Sequence, residues 1–216
     1  MQLWFDRTGF PYLYVNSLQM VVSLWPVMKV QYEYFLASPH GGNEELYSEW
    51  LSINPRTSWR HFHAHQEEQL FLTGLTAEET APFLRWLGSD FRLLMYHEWR
   101  KIDETYEQMG NITPANYNVL MNMARMSVPA RTILHRFRGQ RRNVWSHCTF
   151  FQDGIMEWVY GLNRRLGLYG RPSPDLMEVM LNPRIHEPIH LIDNSRNRAF
   201  GFRAVCPWVQ NKGVKQ

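Results

Sequence analysis

Aromatic side chains are the feature that most limits what this chain can fold into. The 216 residues include 9 Trp, 10 Tyr and 12 Phe. Large rings bury so much apolar surface that they can build a core among short elements and shaped loops. The 12 Pro and 13 Gly are spread along the whole sequence, which is typical of short elements joined by loops. We therefore expect one compact α+β domain over residues 1–216, and neither a helix bundle nor a coiled coil.

The composition excludes several classes of protein. The chain is 44% hydrophobic and 20% charged, so it can bury a core and is not expected to be disordered. No stretch approaches the roughly 20 apolar residues of a membrane span, and the opening residues lack the pattern of a signal peptide. We therefore expect no membrane partner and a cytoplasmic location. Cys148 and Cys206 are too few for a disulfide framework or a four-thiolate zinc site.

Local patterns predict short strands and helices in the N-terminal part of the chain. Residues 12–25 predict one or two strands with a turn near Asn16. Pro26 predicts the start of a helix, which Pro39 ends. Residues 40–66 are mostly polar and predict a long loop.

The remaining elements are predicted from turn and capping residues. Residues 69–75 predict a short buried strand, and Thr76 with Glu79 forms a capping-box pattern before a short helix that Gly88 stops. A helix ending near Met109 follows. Another helix is expected from Thr113 to Met126, since Thr–Pro is a good N-terminal pair. Two apolar runs, a short helix and a terminal strand are predicted at 144–151, 155–160, 173–181 and 199–209.

Several short motifs stand in a fixed order across residues 26–205. The first is PVMKVQYEYF at 26–35, and the second is LFLTGLTAEETAPFLRWLG at 70–88. The other motif residues are Arg92, Leu93, Glu98, Trp99, Glu157, Trp158, Gly201, Phe202 and Arg203. In order and spacing, these motifs resemble the formylglycine-generating enzyme (sulfatase-modifying factor) family.

The resemblance implies a C-type-lectin-like fold, with a short twisted sheet, a few helices and long loops. In a loop-rich fold of this kind, buried Glu and Arg side chains hold backbone groups by charge-assisted hydrogen bonds. We therefore expect Arg92, Glu98, Glu157 and Arg203 to be structural ties, with the neighbouring motif tryptophans packed beside the two glutamates. The alternative is that these four are ordinary surface charges.

The departures from the family pattern concern its chemistry. Catalytic members oxidise a substrate cysteine with copper, held by two cysteines shortly before the Gly-Phe-Arg strand. Residues 181–203 of this chain contain no cysteine, whereas Cys148 lies far upstream and Cys206 lies beyond that strand. Soft Cu(I) requires soft ligands such as thiolates. The comparison implies that the fold is kept, that the oxidase activity is lost and that no cofactor is bound.

Two groups of histidines are weaker candidates for a metal site. His61, His63 and His65 would share one face if their segment were extended, with Glu67 or Glu68 nearby. A solvated loop is the simpler interpretation of that segment. His186 and His190 stand where the family has its copper loop, but the proline between them prevents an uninterrupted helix.

A basic stretch is the leading candidate for a binding surface. It contains five arginines within twelve residues, with Trp145 close behind: Arg131, Arg136, Arg138, Arg141 and Arg142. Guanidinium groups interleaved with aromatic rings suit phosphates and bases, but the net charge of the chain is only +3. An acidic protein partner is therefore favoured over nucleic acid, and a merely solvated face remains the alternative. Both cysteines are expected to be free, buried thiols.

Three functional hypotheses follow. The first is a non-catalytic binding module that resembles formylglycine-generating enzymes and recognises a protein partner encoded nearby, in a bacterial or phage system. The second is a metal-dependent oxidase of cysteine-containing peptides with a rearranged site. The third is the variable ligand-binding protein of a diversity-generating retroelement, since such proteins resemble the same fold.

Overall fold

A computed structural model of the chain describes residues 2–109, 114–140, 155–161, 166–170 and 196–208. The strands in this part are β1 (Leu3–Phe5), β2 (Pro11–Val15), β3 (Met20–Ser23), β4 (Arg92–Met95), β5 (Met156–Tyr160), β6 (Leu166–Gly170), β7 (Phe200–Gly201) and β8 (Ala204–Pro207). The α-helices are α1 (Lys29–Leu36), α2 (Glu44–Ile53), α3 (Ala81–Leu87), α4 (Tyr96–Met109), α5 (Pro114–Met121) and α6 (Val128–Gln140). Short 3₁₀ helices occupy Asn16–Leu18, Ala64–Leu70 and Glu78–Thr80. The expected α+β class is confirmed.

The described strands form one open, mixed sheet. Its order is β1-β2-β3-β8-β4-β5-β6, and β7 pairs with β5. Both β4 and β7 run parallel to β5 and share one of its edges, where Gly201 pairs with Glu157 and Leu94 pairs with Val159. After β7 the chain crosses over at residues 202–203 and continues as β8 between β3 and β4. The last described strands therefore join the N-terminal and C-terminal parts of the sheet.

The sheet is buried on both faces because neighbouring strand residues point in opposite directions. Leu13 of β2 and Leu94 of β4 belong to one apolar cluster, whereas their neighbours Tyr12 and Leu93 belong to a second. Helices α4, α5 and α6 supply buried side chains to the first cluster, and α1, α2 and α3 supply them to the second. Aromatic rings dominate the second cluster, where the Tyr32 ring centroid lies 5.0 Å from that of Trp50.

The predicted long loop over 40–66 is wrong, because the segment contains α2. The Asn43 side chain accepts a hydrogen bond from the Leu46 backbone N–H at 3.0 Å and so caps that helix. Tyr47 and Trp50, three residues apart, bury the same face against the second cluster. The polar residues between these aromatics form the solvated face of an amphipathic helix. Such a helix has a polar composition similar to that of a loop, and composition alone therefore does not distinguish the two.

Several other element predictions change in detail. The predicted strand over 69–75 does not form: Gln69 and Leu70 end a 3₁₀ helix, and although residues 70–75 are buried, only the single bridge between Met28 and Phe71 pairs them with another segment as a β-bridge. Helix α5 ends at Met121 instead of Met126. The predicted short helix at 173–181 and the apolar run at 144–151 lie outside the described residues. No described helix is both long and apolar enough to cross a membrane.

Candidate functional site

The Gly-Phe-Arg motif forms the crossover between β7 and β8, and its arginine is completely enclosed. The Arg203 guanidinium donates to both carboxylate oxygens of Glu157 on β5, with Nη2 at 2.9 Å from Oε1 and Nε at 3.1 Å from Oε2. Arg203 Nη1 also donates to the backbone oxygens of Ser23 and Leu24, at 2.6 and 2.9 Å. One side chain therefore ties the crossover to β5 and to the end of β3.

The backbone around this tie leaves little room for a side chain at Gly201. A Cβ placed there would lie 3.2 Å from the Thr73 side chain and 3.3 Å from the Leu72 carbonyl oxygen. The backbone oxygen of Phe202 accepts a hydrogen bond from Val27 N–H at 2.8 Å, and the Trp158 indole donates to the Leu75 oxygen at 2.8 Å. These contacts fix the segment before α1 against the crossover and residues 72–75 against the crossover and β5.

A second carboxylate–arginine tie joins β4 to the first turn of α4. The Arg92 guanidinium binds both oxygens of Glu98, at 2.6 and 2.7 Å, and Glu98 Oε2 also accepts from the Met95 backbone N–H at 2.8 Å. Glu98 therefore accepts the N–H of the residue that precedes α4, three positions earlier, as the glutamate of a capping box does, and its negative charge is favourable at the N-terminus of the helix. Trp99, the next residue, is buried in the first apolar cluster. The expectation that Glu98 and Glu157 are buried and bonded to an arginine or a backbone N–H is confirmed.

The described cysteine is part of the core. Cys206 lies in β8, opposite Val21 of β3, and belongs to the second apolar cluster. Burial raises the pKa of its thiol to about 11, with a smaller contribution from the charge of Asp90. A thiol of this kind stays protonated at neutral pH, and thiolates are the species that bind copper or attack substrates. Cys148 lies outside the described residues.

The three histidines of the HFHAH segment do not converge on one point. His61 Nδ1 lies 3.2 Å from an Arg136 guanidinium nitrogen, so its lone pair faces a hydrogen-bond donor. His63 and His65 stack in parallel, with ring centroids 5.5 Å apart. Within the described part of the chain, no group of three or more His, Cys, Asp or Glu side chains is placed to hold a metal ion.

The described part of the basic stretch lies on α6 and combines arginines with aromatic rings. Ala130, Ile133, Leu134 and Phe137 bury one face of this helix at helical spacing. Arg136 stands beside that face, with its guanidinium carbon 5.6 Å from the centroid of the Phe62 ring. Arg131 instead donates to the backbone oxygens of Met123 and Met126, at 3.2 and 3.3 Å, and so holds the turn before α6.

A second arginine, Arg60, extends this surface along the segment that leads to Phe62. The Arg60 guanidinium carbon lies 4.8 Å from the centroid of the Trp59 ring. Among the described residues, neither Arg60 nor Arg136 forms an ion pair with a carboxylate. We call this group the Arg136 surface, and it consists of Trp59, Arg60, His61, Phe62 and Arg136. Its two positive charges are held by aromatic rings and remain available to an anionic partner.

The other candidate binding residues fall where the structure gives no side chains. Arg141, Arg142, Trp145, His186 and His190 lie outside the described residues, as does the side chain of Arg138. The sequence interpretation of these residues as binding positions therefore stays a prediction. Comparison of the chain with protein-family models, with curated proteins and with solved structures finds no match.

Sequence reasoning missed two buried or half-buried cations. Lys29 at the start of α1 donates to the Gln69 backbone oxygen at 2.6 Å, and burial lowers its pKa to about 7. Arg196 donates to Glu49 of α2 at 2.8 Å and also binds Glu79. Arg196 and Glu79 both line a cleft of about 420 Å³. The partners of Lys29 and Arg196 are 26 to 147 residues away in sequence, so no local pattern predicts these contacts.

Proposed function

We propose that the chain is a non-catalytic binding module of the formylglycine-generating-enzyme type, with a C-type-lectin-like domain, that recognises a protein partner in a bacterial or phage system. The observation that carries the proposal is the double tie of Glu157–Arg203 and Arg92–Glu98 at the motif positions. These residues serve the scaffold, since their polar atoms are spent on one another and on backbone groups. What remains at the surface is suited to binding.

The absence of the oxidase chemistry rests on the cysteines. Residues 181–203 contain none, and Cys206 is a core residue of β8 whose burial raises its thiol pKa. Making Cys206 a copper ligand would require opening the pairing between β3 and β8. When a fold is reused without the two cysteines of its original reaction, the contacts that hold the fold are kept and the functional sites change.

The Arg136 surface is the part of the described chain that best suits a protein partner. Arginine and aromatic side chains are enriched at interface centres, and Phe62 and Phe137 hold this surface rigidly on the core. The charges of Arg60 and Arg136 favour an acidic patch on the partner. Nucleic acid is the alternative, and it is favoured less because the whole chain carries only +3.

The first experiment tests for the oxidase activity. The purified protein is loaded with copper and incubated with a cysteine-containing sulfatase peptide, and the peptide is analysed by mass spectrometry. We expect no aldehyde product. Turnover that is lost in Cys206→Ser or His186→Ala would overturn the proposal in favour of a rearranged oxidase site.

The second experiment tests for the partner. The proteins encoded beside this chain are purified, and binding is measured by calorimetry with Arg136→Glu and with the matched control Arg100→Glu, an exposed arginine on α4. We expect one neighbour to bind and Arg136→Glu to weaken binding at least tenfold, with little change from Arg100→Glu. Equal loss in both variants, or tight binding to nucleic acid alone, would contradict the proposed interface.

A further inference from the structure

A cleft of about 570 Å³ lies on the side of the molecule where the β1–β2 loop meets the turn before α6. Its charged side chains are Asp6 and Arg7 from the loop and Arg125 from the turn, and the rings of Tyr34 and Trp86 complete its walls. The Arg136 surface contributes none of its residues to this lining. The cleft is therefore a separate feature from the proposed partner surface.

The loop that carries Arg7 is rigid because Asp6 organises it from inside. Asp6 Oδ1 accepts hydrogen bonds from the Thr8 backbone N–H at 2.8 Å, from the Thr8 hydroxyl at 2.6 Å and from the Phe10 N–H at 3.1 Å. Asp6 Oδ2 accepts from the Gln31 amide at 3.1 Å. Both carboxylate oxygens are thus occupied by the protein, and Asp6 is only 6% exposed. The hydrogen-bonding capacity of the Asp6 carboxylate is therefore used largely within the protein.

Gly9 locks the two arginine-bearing segments together. It has φ of 72°, and its backbone oxygen accepts a hydrogen bond from the Ser127 N–H at 2.9 Å. A Cβ at Gly9 would lie 2.7 Å from the Ser127 Cβ and 3.0 Å from the Arg125 carbonyl oxygen. Any other residue would therefore be strained in conformation and would also push the loop away from the turn. The close approach holds Arg7 and Arg125 on the same cleft.

Arg7 and Arg125 are both exposed residues of this cleft. Arg7 lies over the Trp86 ring, with its guanidinium carbon 5.1 Å from the ring centroid. Trp86 itself is packed on Phe35 and Phe83, so this platform is fixed to the second apolar cluster. Neither Arg7 nor Arg125 forms an ion pair with a carboxylate in the described part of the chain. Arg7 is thus held on an aromatic platform, with Arg125 on the same cleft, and guanidinium groups match the paired oxygens of a carboxylate or a phosphate.

We propose that this cleft binds a small ligand that carries an oxyanion group next to an apolar ring. The oxyanion sits between Arg7 and Arg125, with the Thr8 side of the loop beneath it. The apolar ring lies against Tyr34, which is 42% exposed and is one of the few large apolar side chains of the described chain left open to solvent. Carboxylates and phosphates share this chemistry, and the test separates them.

The test is a titration followed by the indole N–H signal of Trp86 in nuclear magnetic resonance spectra of ¹⁵N-labelled protein, assigned with Trp86→Phe. The probes are inorganic phosphate, phenyl phosphate and benzoate. We expect phenyl phosphate or benzoate to shift the Trp86 signal in a saturable way, and to bind more tightly than inorganic phosphate. If phenyl phosphate binds best the natural ligand is a phosphate ester, and if benzoate binds best it is a carboxylate. Absence of a saturable shift with all three probes would overturn the proposal.

Two variants and a control make the result specific. Arg7→Ala/Arg125→Ala is expected to weaken binding of the better probe at least tenfold, whereas Arg100→Ala leaves it unchanged. Gly9→Ala is expected to weaken binding while both arginines are retained, because it separates their loops. Binding by the double alanine variant that equals the wild type, or an equal loss in Arg100→Ala, would show that the anion does not occupy this cleft.

Discussion

The two carboxylate–arginine ties have the same chemistry but opposite relations to solvent. The side chains of Arg203 and Glu157 are 0% and 1% exposed, whereas those of Arg92 and Glu98 are 31% and 8% exposed. Removing one partner from the first tie leaves a charge with no access to water, and removing Glu98 from the second leaves an arginine that water can reach. Two pairs formed by the motif residues can therefore differ in how much stability is lost when one partner is removed, because that loss depends on how deeply the charges are buried.

The largest effect is expected for Glu157→Ala. Loss of the carboxylate strands the buried Arg203 charge, and breaking such a pair costs about 3–5 kcal/mol of unfolding free energy. Chemical denaturation followed by circular dichroism measures it. Glu68→Ala, which removes an exposed carboxylate, is the matched control and should change stability by less than about 0.5 kcal/mol. A similarly small loss for Glu157→Ala would show that the pair is not a structural tie.

A double variant sharpens this prediction. Glu157→Ala/Arg203→Met removes both charges, so no uncompensated charge remains in the core. We expect it to recover at least about 1 kcal/mol relative to Glu157→Ala, even though Arg203 also holds the Ser23 and Leu24 oxygens. A double variant less stable than the single one would mean that the contacts to these carbonyls outweigh the ion pair.

Lys29 provides a third case, because this buried cation is bonded to backbone oxygens instead of a carboxylate. Burial lowers its pKa to about 7, so between that value and its usual value the unfolded chain binds more protons than the folded chain. Stability should therefore rise with pH in this window, by about 1.5 kcal/mol between pH 7 and pH 8.5, because the slope grows from half to nearly the full value of about 1.4 kcal/mol per pH unit as the folded lysine loses its proton. Denaturation at several pH values measures the slope. Lys29→Met should abolish it, and an unchanged slope in that variant would assign the pH dependence to other groups.

Glu98→Ala is expected to cost about 1 kcal/mol, clearly less than Glu157→Ala. The variant leaves the Met95 N–H at the start of α4 without its acceptor, which is comparable to losing a helix cap. Arg92 can turn toward solvent and so adds little. Chemical denaturation of both variants under one set of conditions compares them. A loss equal to that of Glu157→Ala would break the comparison and show that partial exposure does not relieve Arg92.

The smallest effect is expected where an ion pair lies on the surface. Arg56 is 58% exposed and binds Glu33 on α1, with Nε at 2.9 Å from Oε1. Arg56→Ala should change the unfolding free energy by less than about 1 kcal/mol, and added salt should reduce the difference. Thermal unfolding at low and high ionic strength measures it. A loss of stability larger than that of Glu98→Ala would mean that the short distance between Arg56 and Glu33 matters more for stability than the exposure of the pair to solvent.

The elements that local patterns predicted are those whose signals are local. The strands within residues 12–25 follow from their aromatic and β-branched composition and the turn near Asn16, and the short helix before Gly88 follows from capping, since the Thr76 N–H does donate to Glu79, at 2.8 Å. The helix α6 was missed although Ala130, Ile133, Leu134 and Phe137 carry its spacing, because the charged residues between them were interpreted as a binding surface. The loop prediction over α2 failed in a similar way.

The candidate sites likewise divide into those that local motifs predicted and those that depend on contacts between distant residues. The residues of Glu157–Arg203 and Arg92–Glu98 were predicted because motif resemblance names them one by one. The cleft between Arg7 and Arg125 was not, since these residues are 118 positions apart and meet only through the contact of Gly9 with Ser127. Likewise, the Arg136 surface includes Arg60, which the basic stretch alone did not suggest.

The sequence by itself determined the α+β class, which glutamates and arginines act as structural ties, and the lack of a cysteine pair before the Gly-Phe-Arg motif. These features depend on residue type and short-range spacing, which the chain carries in every conformation. Only the tertiary structure decided which charges are left open to a ligand. Arg203 binds groups of the scaffold, whereas Arg7 lines a cleft. The difference depends on which distant segment packs against each side chain. Long-range packing therefore assigns the role of each arginine.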